Sequence, residues 1–379
     1  MKLKASFTRL KIKWLMAFMV LSACVERIDF DVPPAEFQTV VEGVITDSSG
    51  PYTVNLSQAM NINGDSSHRT HIQQAKIKLY DDQGNTEDFT EASPGVYITG
   101  GMMQGEVGHA YHIRIETSDG KIFESEPDKI NPVGNVEDIR YEFEARTRQE
   151  PFGEVRADVF NIYVDADAGT EDENYIRWRF TGTYQVITHP ELHYTDTPPY
   201  TPYKNPFPCS GYVLLSGPTG TGGTLERRED CTCCTCWVKQ YESLPQLSDM
   251  QLVSGSQFKN VKVAEVPITN ATFYEKYMVD VEQMSLSRDA FEFFKLIRQQ
   301  KERASSLFQP PSGEIKGNIK AVNSNDAVIG LFYATAIKKR TEFIAPGNIP
   351  YPVTPIDYIT LPCYDFYPNV SAAKPANWE

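Results

Sequence analysis

The sequence predicts a mainly β protein: an N-terminal immunoglobulin-like β-sandwich followed by a larger β-rich domain with one amphipathic helix. Three observations point there. Short runs alternating apolar and polar residues recur early in the chain, as in Ile77-Lys-Leu79 and Tyr111-His-Ile113-Arg-Ile115, and each would bury one face of a pleated strand. Turn-forming residues separate those runs at short, even intervals. One stretch of helical period interrupts the β pattern late in the chain.

The sandwich is expected over residues 37–128. Strand-like runs fall at 39–46, 52–56, 75–80, 96–99, 110–117 and 121–124. Asp119-Gly120 suits a tight hairpin needing positive φ, and Asp82-Gln83-Gly84-Asn85 suits another. Short strands with regular turns favour an immunoglobulin-like sandwich over a parallel sheet. Pro127 to Asn135 holds two prolines and a Gly-Asn pair and marks the boundary.

The larger domain is expected over 136–379, with strands at 139–145, 160–165, 175–183, 261–266, 271–281, 317–319 and 328–336. Between them, an irregular insertion spans about 189–240 and runs into a cluster of cysteines. The helix is expected over 287–307. Ser287 is placed to cap it, and Asp289 sits where the helix dipole favours an acid. Phe291, Phe294 and Ile297 form its apolar face, Lys295, Arg298, Gln299 and Lys301 take the other, and Pro310-Pro311 stops it.

Ahead of these domains lies an export signal. Lys2, Lys4, Arg9, Lys11 and Lys13 make a basic start, and the apolar run from Trp14 to Val20 closes on Leu21-Ser22-Ala23-Cys24. Crossing a bilayer takes roughly 20 apolar residues, so the run is a cleaved signal rather than a span. Its ending resembles a bacterial lipobox, which implies cleavage after residue 23 and acylation of the Cys24 thiol. Residues 1–23 are then the signal and 24–36 the tether. Several acyl chains hold a protein at a membrane stably, where one binds only reversibly. Glu26, Asp29 and Asp31 behind Cys24 resemble the acidic tags that send Bacteroidota lipoproteins to the outer face of the outer membrane. Cleavage takes the chain from 36 basic and 50 acidic groups to 31 and 50, a net charge of about −19. A chain so acidic repels phosphate backbones, and nucleic acid is not an expected partner.

Cys209, Cys231, Cys233, Cys234, Cys236 and Cys363 remain after cleavage. An even number in an exported chain favours disulfides over a soft-metal site at the Cys231–Cys236 cluster. A vicinal Cys233–Cys234 bridge is strained, which favours longer-range partners such as Cys209 and Cys363; the connectivity stays open.

Other constellations are weak as chemistry. His189-Pro-Glu-Leu-His193 would share a helix face and hold Zn²⁺, but Pro190 and Pro198-Pro199 argue for a loop. Asp165-Ala-Asp167-Ala-Gly169 resembles a calcium loop only in part, because the remaining EF-hand ligands are not in place. No metal or cofactor is expected beyond the lipid on Cys24. Gly217-Pro-Thr-Gly220 lacks the Lys-Ser/Thr of a phosphate loop, and no Gly-x-Ser-x-Gly elbow occurs, so no catalytic residue is assigned and enzymatic activity is not expected. The 20 Tyr and 20 Phe are many, and those in proline-rich loops such as 194–203 and 351–367 either form a binding rim or cover the ends of the sandwich.

Several pieces together resemble one family. They are the ending at Cys24, Val41-Glu-Gly-Val-Ile-Thr46 followed by Gly50-Pro-Tyr52, Gly95-Val-Tyr97, and Gly108-His-Ala-Tyr-His-Ile-Arg-Ile115 leading into Asp119-Gly-Lys121. Asn174-Tyr175, Gly317-Asn-Ile319 and Ile329-Gly-Leu-Phe-Tyr-Ala334 complete the set. The chain is similar across nearly all of its mature length to the Bacteroidota outer-membrane lipoprotein family called domain of unknown function 4249. That resemblance implies a lipoprotein facing the cell exterior, working as a non-enzymatic accessory or ligand-capture subunit of a TonB-dependent transporter or similar β-barrel complex. It carries no catalytic residues over. A structural or adhesive surface protein is the alternative, and a hydrolase of surface polymers a second.

Overall fold

The computed structural model describes residues 37–60, 69–169, 175–195, 203–215, 223–248, 253–254, 256–304, 317–354, 356 and 358–378. The expected signal, the tether and Cys24 lie outside them.

The first strands are β1 (Phe37–Thr46), β2 (Thr53–Met60), β3 (Arg69–His71), β4 (Lys76–Asp81), β5 (Thr86–Ser93), β6 (Val96–Thr99), β7 (Ala110–Glu116), β8 (Ile122–Ser125) and β9 (Asp128–Lys129). There follow β10 (Val136–Glu144), β11 (Thr147–Glu150), β12 (Gly153–Arg156), β13 (Val159–Asp167), β14 (Ile176–Ile187), β15 (Tyr194–Thr195), β16 (Tyr203–Lys204), β17 (Tyr212–Leu215) and β18 (Thr224–Arg227). Then come β19 (Thr235–Tyr241), β20 (Gln246–Leu247), β21 (Val253–Ser254), β22 (Gln257–Pro267), β23 (Tyr277–Ser285) and helix α1 (Arg288–Ala304). The last elements are β24 (Ile319–Ala321), β25 (Val328–Thr335), β26 (Ile337–Ile344), helix α2 (Cys363–Phe366) and β27 (Val370–Ser371).

The two-residue period does what it predicts in the first unit. Ile77 and Leu79 of β4 and Tyr111, Ile113 and Ile115 of β7 enter one core with Val41, Leu56, Phe123 and Phe332. Burying each such aliphatic side chain stabilises the fold by roughly 1.5–3 kcal/mol, which fixes the register of every strand. Gly84 and Gly120 turn the hairpins with positive φ, as their Asp-containing contexts predict. The strands run in the order β24-β8-β7-β4-β5-β6-β2-β1-β25. β5 pairs with β4 through Thr86–Asp88 and with β6 through Phe89–Ser93, so one bent strand serves both layers of the sandwich.

The expected division at 128–136 differs from this sheet in one respect. β24 pairs with β8, and β25 lies parallel to β1 from Thr39↔Val328 to Thr46↔Thr335. Without them β1 would present an open edge, and the core would lose Ile319, Phe332 and Ala334. Residues 319–335 therefore complete the first unit although they follow most of the second.

The second unit packs β10-β13-β22-β21 against β26-β23-β14-β19-β27, with β20 on β14. Phe160, Ile162, Val164, Trp178, Val263 and Tyr277 fill the space between. The expected strand at 271–281 begins only at Tyr277. Ahead of it, Thr269 and Thr272 close a turn through the Thr272 hydroxyl, which donates to the Pro267 carbonyl at 2.9 Å. β19 lies inside the expected irregular insertion, yet it pairs with β14 over Thr181–Ile187. The insertion thus ends near residue 234 rather than 240.

Helix α1 starts where expected, with the Ser287 hydroxyl accepting the Ala290 amide at 3.2 Å. Residues 305–307 of the expected helix, and Pro310-Pro311, fall outside the described residues. Its buried side chains are Ala290, Phe293 and Phe294, set against Met284, Leu286, Leu331 and Tyr333, while Phe291 and Ile297 are only partly covered. Those partners belong to β23, to Leu286 just after it, and to β25, so the helix covers the seam between the two units. Only Ala336 separates β25 of one unit from β26 of the other. Its amide donates to the Ser285 hydroxyl at 3.0 Å, and the next amide, of Ile337, donates to Asp47 at 2.8 Å.

Candidate functional site

All six cysteines among the described residues are paired, as Cys209–Cys233, Cys231–Cys234 and Cys236–Cys363. No vicinal bridge forms, and both Cys209 and Cys363 take partners in the cluster. Each bridge follows from where the backbone puts its ends. Cys236, second residue of β19, has its side chain in the core, and the Cys363 amide donates to the Cys233 carbonyl at 3.0 Å, which brings α2 against that strand. The Thr232 amide donates to the Cys209 carbonyl at 2.9 Å, laying the end of the insertion against its middle. Closing loops with sequence separations of 24 and 127 residues restricts the unfolded chain by roughly 3 and 5 kcal/mol, against about 1.5 for the separation of 3.

What the bridges hold is a projecting surface. β15–β16 and β17–β18 are isolated two-stranded hairpins, an arrangement with little stability of its own in water. Gly211, with φ +74°, approaches the Glu229 carbonyl too closely for a β-carbon, and its own carbonyl accepts the Arg228 and Glu229 amides at 2.8 and 3.1 Å. That closes the base of β17–β18 beside Cys209–Cys233. On this base Val213, Leu214 and Leu215 stand exposed in succession, with Leu192, Tyr194 and Tyr203 from the neighbouring turns. Tyr358, Tyr364 and Phe366 join from the C-terminal segment: the Tyr364 hydroxyl reaches Cys209 Sγ at 3.6 Å, and the His189 amide donates to the Ile359 carbonyl at 2.7 Å. Of the tyrosine-rich loops, Tyr194, Tyr203, Tyr358 and Tyr364 stand exposed, whereas Tyr351 and Tyr367 pack against the core of the second unit. Exposed apolar surface gathered in one place marks an interaction face.

A groove of about 850 Å³ opens between β19 and β22. Phe180, Tyr184 and Val238 line its apolar part, and Lys262, Glu265 and Arg298 its charged part. Burial pushes the Tyr184 hydroxyl up to about 12, so it stays a neutral donor at physiological pH. Glu242 at the inner end is held in a buried ion pair with Arg177, whose guanidinium also lies 4.2 Å over the Phe294 ring. Its carboxylate is thus engaged in holding helix α1 to β14.

The remaining candidates have separate partners. His189 Nδ1 lies 3.0 Å from Glu191, while the His193 ring packs on Phe207 at 4.5 Å. Asp165 is lowered against the penalty of its burial by the Asn260 amide at 2.8 Å and the Arg140 guanidinium at 2.9 Å. Asp167 accepts the Gly169 amide at 2.9 Å. The acids at 171–173 lie outside the described residues. Among the described residues no three His, Cys, Asp or Glu side chains stand close enough to hold a metal ion.

Sequence reasoning missed Gln283, which sits in β23 with no exposure. Its amide donates to the Gly134 and Asp167 carbonyls at 3.0 and 2.8 Å, and its carbonyl accepts the Trp178 indole N–H at 2.7 Å. It fixes the linker ahead of β10 against the core of the second unit. A lone Gln in a strand carries no signal for this, since the same residue usually faces solvent.

The described chain is thus two fused β-units with a disulfide-pinned hairpin that carries exposed apolar side chains. The model of the family described as Domain of unknown function (DUF4249) matches residues 25–341, and the chain belongs to that family. No curated protein matches the chain. The match ends within β26, so α2 with Cys363, and the Trp378 that packs on Trp237 and Met278, lie beyond it.

Proposed function

We propose that this chain is a non-enzymatic lipoprotein, anchored through acyl chains on Cys24 in the outer membrane and facing the cell exterior. There it docks on a β-barrel transporter of the TonB-dependent type and helps to hold a ligand for it. The observation that carries the reading is the apolar patch of Val213, Leu214 and Leu215 with its exposed tyrosines, held out from the body by Cys209–Cys233. An isolated hairpin stapled at its base and apolar on its surface gains by being covered, and barrel rims offer extended, partly apolar surfaces. The groove between β19 and β22 supplies room for a ligand. Among the described residues no helix is long and apolar enough to cross a membrane, which leaves the lipid as the proposed anchor.

Purification from detergent-solubilised outer membrane tests this directly. The chain is expected to carry an integral β-barrel with it, and the double substitution Val213→Asp with Leu215→Asp to reduce that recovery roughly tenfold without moving the melting temperature. Recovery of the wild-type chain alone would refute the reading.

A further inference from the structure

The three bridges differ in ways that bear on chemistry. Cys236 and Cys363 are fully buried, and so is Cys233, whereas Cys231, Cys234 and Cys209 are partly open to solvent. Cys231–Cys234 is therefore the bridge a soluble reductant reaches with least movement of the chain, and its closed loop is the shortest of the three. Cys231 Sγ also lies 4.0 Å from Cys233 Sγ, which belongs to the neighbouring bridge. On the far side of that bridge, the Tyr364 hydroxyl donates to Cys209 Sγ at 3.6 Å. One sulfur is thus flanked by a nucleophile in waiting, and its bonded partner by a proton donor.

We propose that Cys231–Cys234 is a thiol-exchange site through which a dithiol opens the Cys209–Cys233 bridge and frees Cys209. In the first step one thiolate of the dithiol attacks Cys234 Sγ and Cys231 leaves. The second thiol then displaces Cys234 and closes the reductant's own disulfide. The two protons of the dithiol end on Cys231 and Cys234, which are reduced as the dithiol is oxidised. In the second step Cys231, as thiolate, attacks Cys233 Sγ. A Cys231–Cys233 bond forms, the Cys209–Cys233 bond breaks, and Cys209 takes the proton that Cys231 lost. No electrons enter in that step. The hydroxyl of Tyr364 stabilises the departing Cys209 thiolate, and a better-stabilised leaving thiolate departs faster. Cys209 stands at the foot of β17, so its release unlocks the base of the projecting hairpin, while buried Cys236–Cys363 keeps α2 in place.

The inference does not depend on a barrel partner, because it is read on the chain alone. The full chain in detergent micelles is treated with one equivalent of dithiothreitol, blocked with N-ethylmaleimide and mapped by peptide mass spectrometry. Label is expected on Cys209 alongside Cys234. In Cys231→Ser, where Cys234 is free from the start, label on Cys209 should fall about tenfold, since the thiol placed 4.0 Å from Cys233 Sγ is gone and attack by Cys234 would need a strained vicinal bridge. Tyr364→Phe should slow the labelling of Cys209 and leave that of Cys234 unchanged. Label confined to Cys231 and Cys234 in the wild type would overturn the proposal. So would equal labelling of Cys209 in Cys231→Ser.

Discussion

At the scale of single residues, burial and hydrogen bonding part company with residue type. Glu87 is nearly fully buried in β5, yet its carboxylate accepts the Met102 and Met103 amides at 3.0 and 2.7 Å. A satisfied acid costs little inside a fold, and β5 is not among the strands that the alternating pattern predicts. Gln283 is the same lesson with larger stakes, because three buried groups depend on it. Gln283→Leu keeps the shape but orphans the Trp178 N–H and two carbonyls. It should lower unfolding free energy by roughly 2–4 kcal/mol, measured by denaturant titration. A change below about 0.5 kcal/mol would mean that the cluster relaxes around the loss.

At the scale of elements, periodic strands were legible and polar ones were not. β6 has the predicted bounds, and β4 and β7 bury the predicted alternate residues. β26, Ile-Lys-Lys-Arg-Thr-Glu-Phe-Ile, hides its strand character because its outward side chains are mostly charged. β19 hides among cysteines and a loop-like composition. For the candidate site, the cysteines and the tyrosine-rich loops were visible as residues, but their assembly into one surface depends on pairings that spacing does not encode. Three strands of the second unit are also tied by charge. Arg146 binds Glu144, at the end of β10, at 2.7 Å and Glu265 of β22 at 2.8 Å, and Glu144 accepts from Asn161 of β13 at 2.6 Å. Hydrogen bonds from Arg146 lower both carboxyls from 4.5 to about 2, helped by Asn161 at Glu144 and by Lys262 at Glu265. Depressed folded values mean that the contribution is present above about 4.5 and lost as pH falls towards 2. Melting curves across that window should show Arg146→Met losing less stability on acidification than the wild type. Parallel curves for the two proteins would rule this out.

At the scale of the molecule, chain order and spatial order disagree. The prolines near residue 130 fall between β9 of the first sheet and β10 of the next, but the long-range return of β24 and β25 leaves no local trace in the sequence. A fragment of residues 37–135 lacks the parallel partner of β1 and the Phe332 ring, so it should remain unfolded by circular dichroism and amide dispersion, whereas the full chain folds. A well-dispersed spectrum from the fragment would show that the first nine strands suffice. The interior position of β1 has a mechanical consequence. β1 is flanked by β2 on one side and β25 on the other, over most of its length. A pull along its axis from the residues ahead of Phe37 would strain all of those rungs together, as in shear, instead of opening them one by one from an edge. The strand nearest the start of the described chain is thereby the one best seated to resist being drawn out.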